Sequence, residues 1–277
     1  MNSDVCYVGC FFTGERGKRA NDQGQHLIYE HVAALTQIKT SLITSFALVV
    51  NTVDAPDSEL VSFMDATTLI NNVPVTWLVR PNIGISYGAF MSFYMKNTTK
   101  HDWYIFIEDD YVPCTDDFDQ KLVTLASETN ADYMCCLADY YSEKWGLVAS
   151  ISNGIINDRV LSGTLGTFKE EGHTDISTVD TLCDTGQRKF SKMITDAGFK
   201  ITDMMSHYGC QFYEGGTNVQ GSIDNRLKRW EPDKPELFVP IQVLRGDKFD
   251  KIVTMNVDEN VRQTYECLRQ LVCGIGR

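Results

Sequence analysis

Three consecutive carboxylates, Glu108, Asp109 and Asp110, close the apolar run that begins at Trp103. Like charges gathered in one place oppose one another's ionisation, and a hard divalent cation is a common compensator. If the strand that carries them continued, Glu108 and Asp110 would face one side and Asp109 the other. Two carboxylates with a gap of one can serve an ion and a neighbouring ligand group. Magnesium or manganese needs few protein ligands when substrate phosphates complete its shell. The bland alternative is an acidic loop at a strand end. An EF-hand is excluded, because DDYVPCTDDFDQ has no glycine at its sixth place and no glutamate at its twelfth. An aspartyl-phosphate phosphatase would place its acids after the first strand instead.

A second candidate is RPNIGISYGAF, residues 80 to 90. Arg80 can offer a planar donor fork to a base or a phosphate. Pro81 fixes the chain leaving a strand, Gly84 permits a tight turn, and Ser86 is placed to cap the helix that follows. Gly88 and Ala89 keep the first turn of that helix slim, which would admit a ligand. The alternative is a turn that only joins strand to helix.

These residues need elements to hold them. VCYVGCFF (5 to 12) reads as a buried strand, followed by the polar loop TGERGKRANDQGQ and then by Ile28, Val32, Leu35 and Ile38 at helical spacing. A strand is expected at 45–53, a helix at 56–70, a strand at 75–79, a helix at 86–97 and a strand at 102–107. This alternation predicts parallel strands joined by right-handed crossovers in an α/β sheet, with ligands beyond the carboxyl ends of the strands. Further on, a helix is expected at 117–128 and strands at 133–138 and in GLVASIS, with the aromatic segment from Asp139 to Trp145 between them. Those rings could stack on a sugar or pack in the core. A turn-rich stretch should run to 178, then a helix at 185–197 ending at Gly198, and a last amphipathic helix near 258–272. No repeat or low-complexity linker interrupts residues 1–277, so one domain is expected.

Of the 277 residues, 43% are hydrophobic and 11% aromatic, ample for a packed core. The net charge of −12 argues against a nucleic-acid partner, which would require basic stripes. No apolar stretch approaches the roughly 18 residues of a transmembrane helix, and MNSDVCYVGCFF lacks a basic leader. Nine cysteines without a CxxC pair argue against a disulfide frame or zinc knuckle. A cytoplasmic location is the expectation, in which the sequon at Asn97 carries no weight.

The succession of strands and helices, R-P-N-x-G-x-S, and an apolar strand ending in acids resembles the nucleotide-sugar transferases of the GT-A fold, most closely glycosyltransferase family two. The resemblance covers residues 5 to about 115. It implies a metal-dependent enzyme that moves a sugar from a nucleotide-diphosphate donor, a UDP-sugar, to a hydroxyl acceptor with inversion. Asp110 would bind the Mn2+ or Mg2+ that bridges the donor diphosphate, and Asp109 would touch the ribose. Arg80 would lie near the base, and Thr13 in the loop that cradles the nucleoside. Asn51 stands where the family prefers a base-facing aspartate, with Asp54 three residues on. Residues 1–115 would form the donor half, 116–230 the acceptor side and 231–277 a carboxyl-terminal extension.

Downstream, FSKMITDAGFKITDMMSHYG (190 to 209) is similar to the family's amphipathic helix, short strand and histidine, which implies His207 as a metal ligand. Where the family carries a Glu-Asp pair whose aspartate is the general base, this chain has Gly186-Gln187. Asp184, one turn earlier, is the candidate base, although Asp184 to Gln187 also fits a capping box. Asp180, Asp175 and Glu143 are the other candidates. Two alternatives remain open. A sugar nucleotidylyltransferase would show a glycine-rich basic loop after the first strand, of which GERGKRA (14 to 20) is a faint echo. A noncatalytic nucleotide-sugar or carbohydrate-binding module would have kept the donor pocket and lost its base.

Overall fold

Side chains of a strand alternate between its faces, so a strand buried on both sides must be apolar throughout, as VCYVGCFF is. The computed structural model describes residues 3–14, 24–109, 111–135, 138–149, 153–170, 186–204 and 238–240. Asp110, Asp175, Asp180, Asp184, His207 and the helix expected near 258–272 lie outside the described residues.

The first half follows the expected alternation. It runs β1 (Val5–Phe12), α1 (Gly24–Gln37), β2 (Ile43–Thr52), α2 (Ser58–Ala66), β3 (Leu69–Ile70), β4 (Val73–Pro81), α3 (Ile85–Lys96) and β5 (Trp103–Glu108). The second half comprises β6 (Tyr111–Pro113), α4 (Phe118–Glu128), β7 (Tyr133–Cys135), β8 (Ala138–Ser142), β9 (Gly146–Ala149), β10 (Asn153–Asn157), α5 (Asp158–Glu170), α6 (Lys189–Asp196), β11 (Ile201–Asp203) and β12 (Phe238–Pro240). Eight strands make one mixed sheet in the order β11-β7-β10-β5-β1-β2-β4-β3. Its centre is parallel, β1 pairing with β2 and β5, and β2 with β4. Among the described residues no helix is long and apolar enough to cross a membrane.

The alternation divides the core in two. Val5, Tyr7 and Phe11 of β1, Phe46, Leu48 and Val50 of β2, and Ile105 and Ile107 of β5 pack toward α1, α2 and α4. Cys6, Val8, Cys10, Ala47, Val49, Tyr104 and Phe106 face the other way, toward α3, α5 and α6. Each layer of helices covers one face of the sheet, as expected for parallel strands.

Three departures have local causes. The helix expected to reach residue 70 stops at Ala66, and Leu69–Ile70 instead pairs back on Val73–Pro74. Asn71 and Asn72 form the two-residue turn at φ 50° and 65°, which asparagine tolerates best after glycine. The expected strand 133–138 is split, β7 entering the main sheet while β8 forms a separate hairpin with β9. The stretch expected to be turns contains β10 and α5. β10 inserts antiparallel between β7 and β5. This requires Gly154, since a Cβ there would lie 2.4 Å from the Met134 carbonyl oxygen. α5 is poor in strong helix formers, with Gly163 and Gly166 inside it, and gains its place from the burial of Val160 and Leu161. α6 ends as expected: Gly198 takes φ 83°, and the Phe199 N–H reaches the Ile194 carbonyl at 3.1 Å.

Candidate functional site

The same alternation that sorts the core places Cys10, Asn51 and Arg80 on the α3 face, at the carboxyl ends of β1, β2 and β4. Asn51 is opposite Arg80 in the parallel register. Arg80 Nη1 donates to Asn51 Oδ1 at 2.6 Å, and Nη2 donates to the Ile83 carbonyl at 2.6 Å. The Asn51 side-chain amide donates to the Ile85 carbonyl at 3.2 Å and to Cys10 Sγ at 3.4 Å. Both amide protons are thereby used, and the amide oxygen is engaged by the guanidinium. Burial lowers the Arg80 pKa, opposed by its interaction with Cys10. An arginine nonetheless stays charged.

This network accounts for the asparagine where the resembled family prefers an acid. An aspartate at position 51 could still meet Arg80, but its second oxygen would face the Ile85 carbonyl, acceptor against acceptor. Asn51 is 1% exposed. It holds the arginine and the start of α3 together, while the guanidinium is the group left half-buried at the edge.

The turn between β4 and α3 is bent tightly around that guanidinium. The Ile83 N–H donates to the Pro81 carbonyl at 2.8 Å, Gly84 takes φ 78°, and Ile85 takes φ 50°. The left-handed region is costly for a β-branched residue and is held only where the surroundings impose it. Gly88 serves a purpose other than the expected one. A Cβ at Gly88 would lie 1.9 Å from the Ile83 carbonyl oxygen and 3.1 Å from Arg80 Nη2. The slim first turn of α3 therefore admits the protein's own turn. Ser86 does not cap the helix either: the N-cap is Gly84, with no side-chain bond. Ser86 is 2% exposed, and its Oγ, like Asn82 Oδ1, has no hydrogen-bond partner among the described residues.

Across β1, Asp109, the residue after β5, is 3% exposed and accepts the Phe12 N–H at 3.0 Å. The Thr13 N–H donates to the Asn51 carbonyl at 3.1 Å, prolonging the pairing of β1 with β2. Thr13, Asn51, Arg80 and Asp109 thus share one edge. At about 4.8 Å per strand, the row from β5 through β1 and β2 to β4 spans about 14 Å. Val53 (71% exposed) and Ile83 (47% exposed) offer apolar surface at its β2–β4 end. Cys10 was not singled out in the sequence, Asn82 entered only as part of R-P-N-x-G-x-S, and Ser86 was expected as a helix cap. Period-two counting back from Asn51 and its partner strand could have found Cys10, whereas the two unpartnered polar atoms have no sequence signal.

No group of three His, Cys, Asp or Glu able to hold a metal occurs among the described residues. Glu143 is exposed in the turn of the β8–β9 hairpin, where Lys144 Nζ sits 4.6 Å from the centroid of the Trp145 ring.

No protein-family model and no curated protein matches the chain. Among solved structures it is similar to 4-diphosphocytidyl-2C-methyl-D-erythritol synthase from Anaerococcus prevotii, with 5% identity and a TM-score of 0.46, over 73% of this chain and 87% of that one. It is also similar to CMP:2-keto-3-deoxy-manno-octonic acid synthetase complexed with CTP, with 10% identity and a TM-score of 0.43, over 73% and 89%. A third similarity is to the glycosyltransferase GlyE of Streptococcus pneumoniae, with 9% identity and a TM-score of 0.47, over 98% of this chain and 63% of that one.

Proposed function

We propose that the chain is a nucleotide-sugar-dependent glycosyltransferase that moves a sugar from a UDP-sugar donor to a hydroxyl acceptor with inversion. The observation that carries this reading is the guanidinium of Arg80, fixed by Asn51 and Ile83 at the carboxyl edge of a parallel sheet and in one row with Asp109. Ligands of such sheets lie beyond that edge. The base end of the nucleotide would meet Arg80 and the apolar surface of Val53 and Ile83. The ribose would lie toward Thr13 and Asp109, and the diphosphate toward the β5 end.

Carboxylates at a strand end are the donor chemistry that Mn2+ or Mg2+ takes. The described residues supply Glu108 and Asp109 there, the latter committed in part to the Phe12 N–H. Asp110 and His207 would hold the ion, which when bound neutralises charge on the departing diphosphate. The chain's own residues do the rest. Arg80 orients the nucleotide with a fork already held in place, so little side-chain freedom is lost on binding. Asp184 would take the proton of the acceptor hydroxyl, from within about 3 Å and on the sugar face opposite the leaving group.

The deciding measurement is thermal shift with a panel of nucleotide sugars in the presence and absence of manganese, followed by product analysis. A manganese-dependent shift with one donor, lost in Asp110→Asn, is expected. Unchanged donor binding in that variant would remove the metal assignment. Release of pyrophosphate from a nucleoside triphosphate and a sugar phosphate would indicate a nucleotidylyltransferase, and binding without turnover a noncatalytic module.

A further inference from the structure

On the sheet face opposite α3, helices α1 and α2 leave an open groove of about 390 Å³ lined by Tyr29, Val32, Ala33, Glu59 and Phe63. Its floor is aromatic. The Tyr29 and Phe63 rings meet at 79° with centroids 4.6 Å apart, and Phe63 in turn meets Trp77 at 6.1 Å. Its rim is acidic. Glu59 is exposed. Burial raises the Tyr29 pKa, and the Glu59 and Asp57 carboxylates raise it further, so both charges bear on the same hydroxyl.

The described segment that carries the groove has little positive charge to set against this. From residue 24 to residue 79 the acids are Glu30, Asp54, Asp57, Glu59 and Asp65, and the only lysine or arginine is Lys39. Lys39 lies past the far end of α1, its backbone N–H bonded to Asp116. Aromatic faces attract cations through the ring quadrupole, and an adjacent carboxylate adds to the attraction.

We propose that this groove is a docking site for a basic peptide segment, seating an arginine or lysine head between the aromatic rings and Glu59 and an apolar neighbour over Val32 and Ala33. A free small cation fits less well, because small-ligand sites enclose most of their ligand and this groove is open along its length. A second copy of the chain is disfavoured by a net charge of −12 on each partner.

The test is titration calorimetry of the full chain with a short blocked peptide alternating arginine and leucine, and with its glutamate counterpart. The arginine peptide should bind, more weakly as salt is added, and the glutamate peptide should not. Glu59→Gln, at an exposed position, and Phe63→Leu, which keeps an apolar side chain but removes the ring, should each weaken binding about tenfold. Asp65→Asn makes the same charge change on α2 outside the groove lining and should leave the affinity unchanged. Equal losses in Glu59→Gln and Asp65→Asn would reduce the effect to net charge and overturn the site. Arginine amide binding as tightly as the peptide would overturn the peptide assignment. Self-association by sedimentation that Phe63→Leu abolishes would overturn it in favour of a second copy. Donor binding in Glu59→Gln should be unaltered, so this proposal and the glycosyltransferase reading succeed or fail separately.

Discussion

Both edges of the sheet gather carboxylates, yet they use them differently. At the amino edge Asp119 is fully buried and accepts the N–H groups of Ser41, Leu42 and Ile43 at 2.9, 2.6 and 2.9 Å. Asp116 accepts the Lys39 N–H at 2.9 Å, and Asp117 binds the Ser41 hydroxyl. These carboxylates close the turn into β2 by hydrogen-bonding its backbone. At the carboxyl edge, Asp109 holds the Phe12 N–H, a half-buried guanidinium stands at the β4 end of the same row, and Ser86 Oγ and Asn82 Oδ1 have no partner among the described residues. Buried polar atoms are nearly always paired, and leaving one unpaired costs about 1–3 kcal/mol. Carboxylates alone therefore do not mark a site. The distinguishing feature of the carboxyl edge is the hydrogen-bonding capacity of Ser86 Oγ and Asn82 Oδ1, which no described residue uses.

The largest effect should come from the amino edge. Asp119→Ala leaves three backbone N–H groups without their charged acceptor and should cost about 3–5 kcal/mol, read from the denaturant midpoint. A loss below about 1 kcal/mol would break the contrast between the edges. Next is Gly88→Ala. Alanine in place of a mid-helix glycine ordinarily stabilises by about 1 kcal/mol. Here the Cβ meets the Ile83 carbonyl, so the variant should instead lose about 2–3 kcal/mol and donor affinity together. A stabilised Gly88→Ala variant would show that the turn holding Arg80 yields easily.

The third prediction separates the core from both edges. The Tyr7 hydroxyl and His31 Nε2 lie 2.6 Å apart, and burial holds His31 at about 3, below its ordinary value near 6.5. The unfolded chain then takes up the proton first as the pH falls. Stability from this residue is complete above pH 6.5 and declines as the pH drops toward 3, giving about 2 kcal/mol lost between pH 6.5 and 5. His31→Gln should flatten that slope. An unchanged slope would move the acid sensitivity to the edge carboxylates. The smallest effect is expected from Arg80→Lys, with stability within about 1 kcal/mol of the parent and donor affinity about tenfold lower, because an ammonium cannot reproduce the planar fork. Greater destabilisation than loss of binding would make Arg80 a structural residue like Asp119.

Much of the carboxyl edge was legible from residue types. Arg80, Asp109 and Thr13 follow strand ends recognisable from apolar runs, and β1 spans Val5–Phe12 as expected. The roles of Asn51, Ser86 and Gly88 were not. Those of Asn51 and Gly88 depend on the backbone carbonyls of Ile85 and Ile83, whose positions follow from a turn with two consecutive left-handed residues, and Ser86 is buried beside that turn instead of capping the helix. Asp119 was equally hidden, since it lies 76 residues from its deepest partner, Ile43.

What the sequence determined by itself is periodic and local: where strands and helices begin, which face each residue takes, and that acids and an arginine stand at strand ends. Apolar spacing is sufficient for this, because a period of 2 or 3.6 assigns faces without reference to the rest of the chain. Only the tertiary structure decided which polar groups are satisfied and which are not. It set β10 between β7 and β5, gave Asp119 its three N–H donors, locked Asn51 onto Arg80 and left Ser86 Oγ unpartnered among the described residues. Hydrogen bonds are short and directional, so they depend on ångström-scale placement of segments far apart in the chain, which no local pattern of residue types encodes.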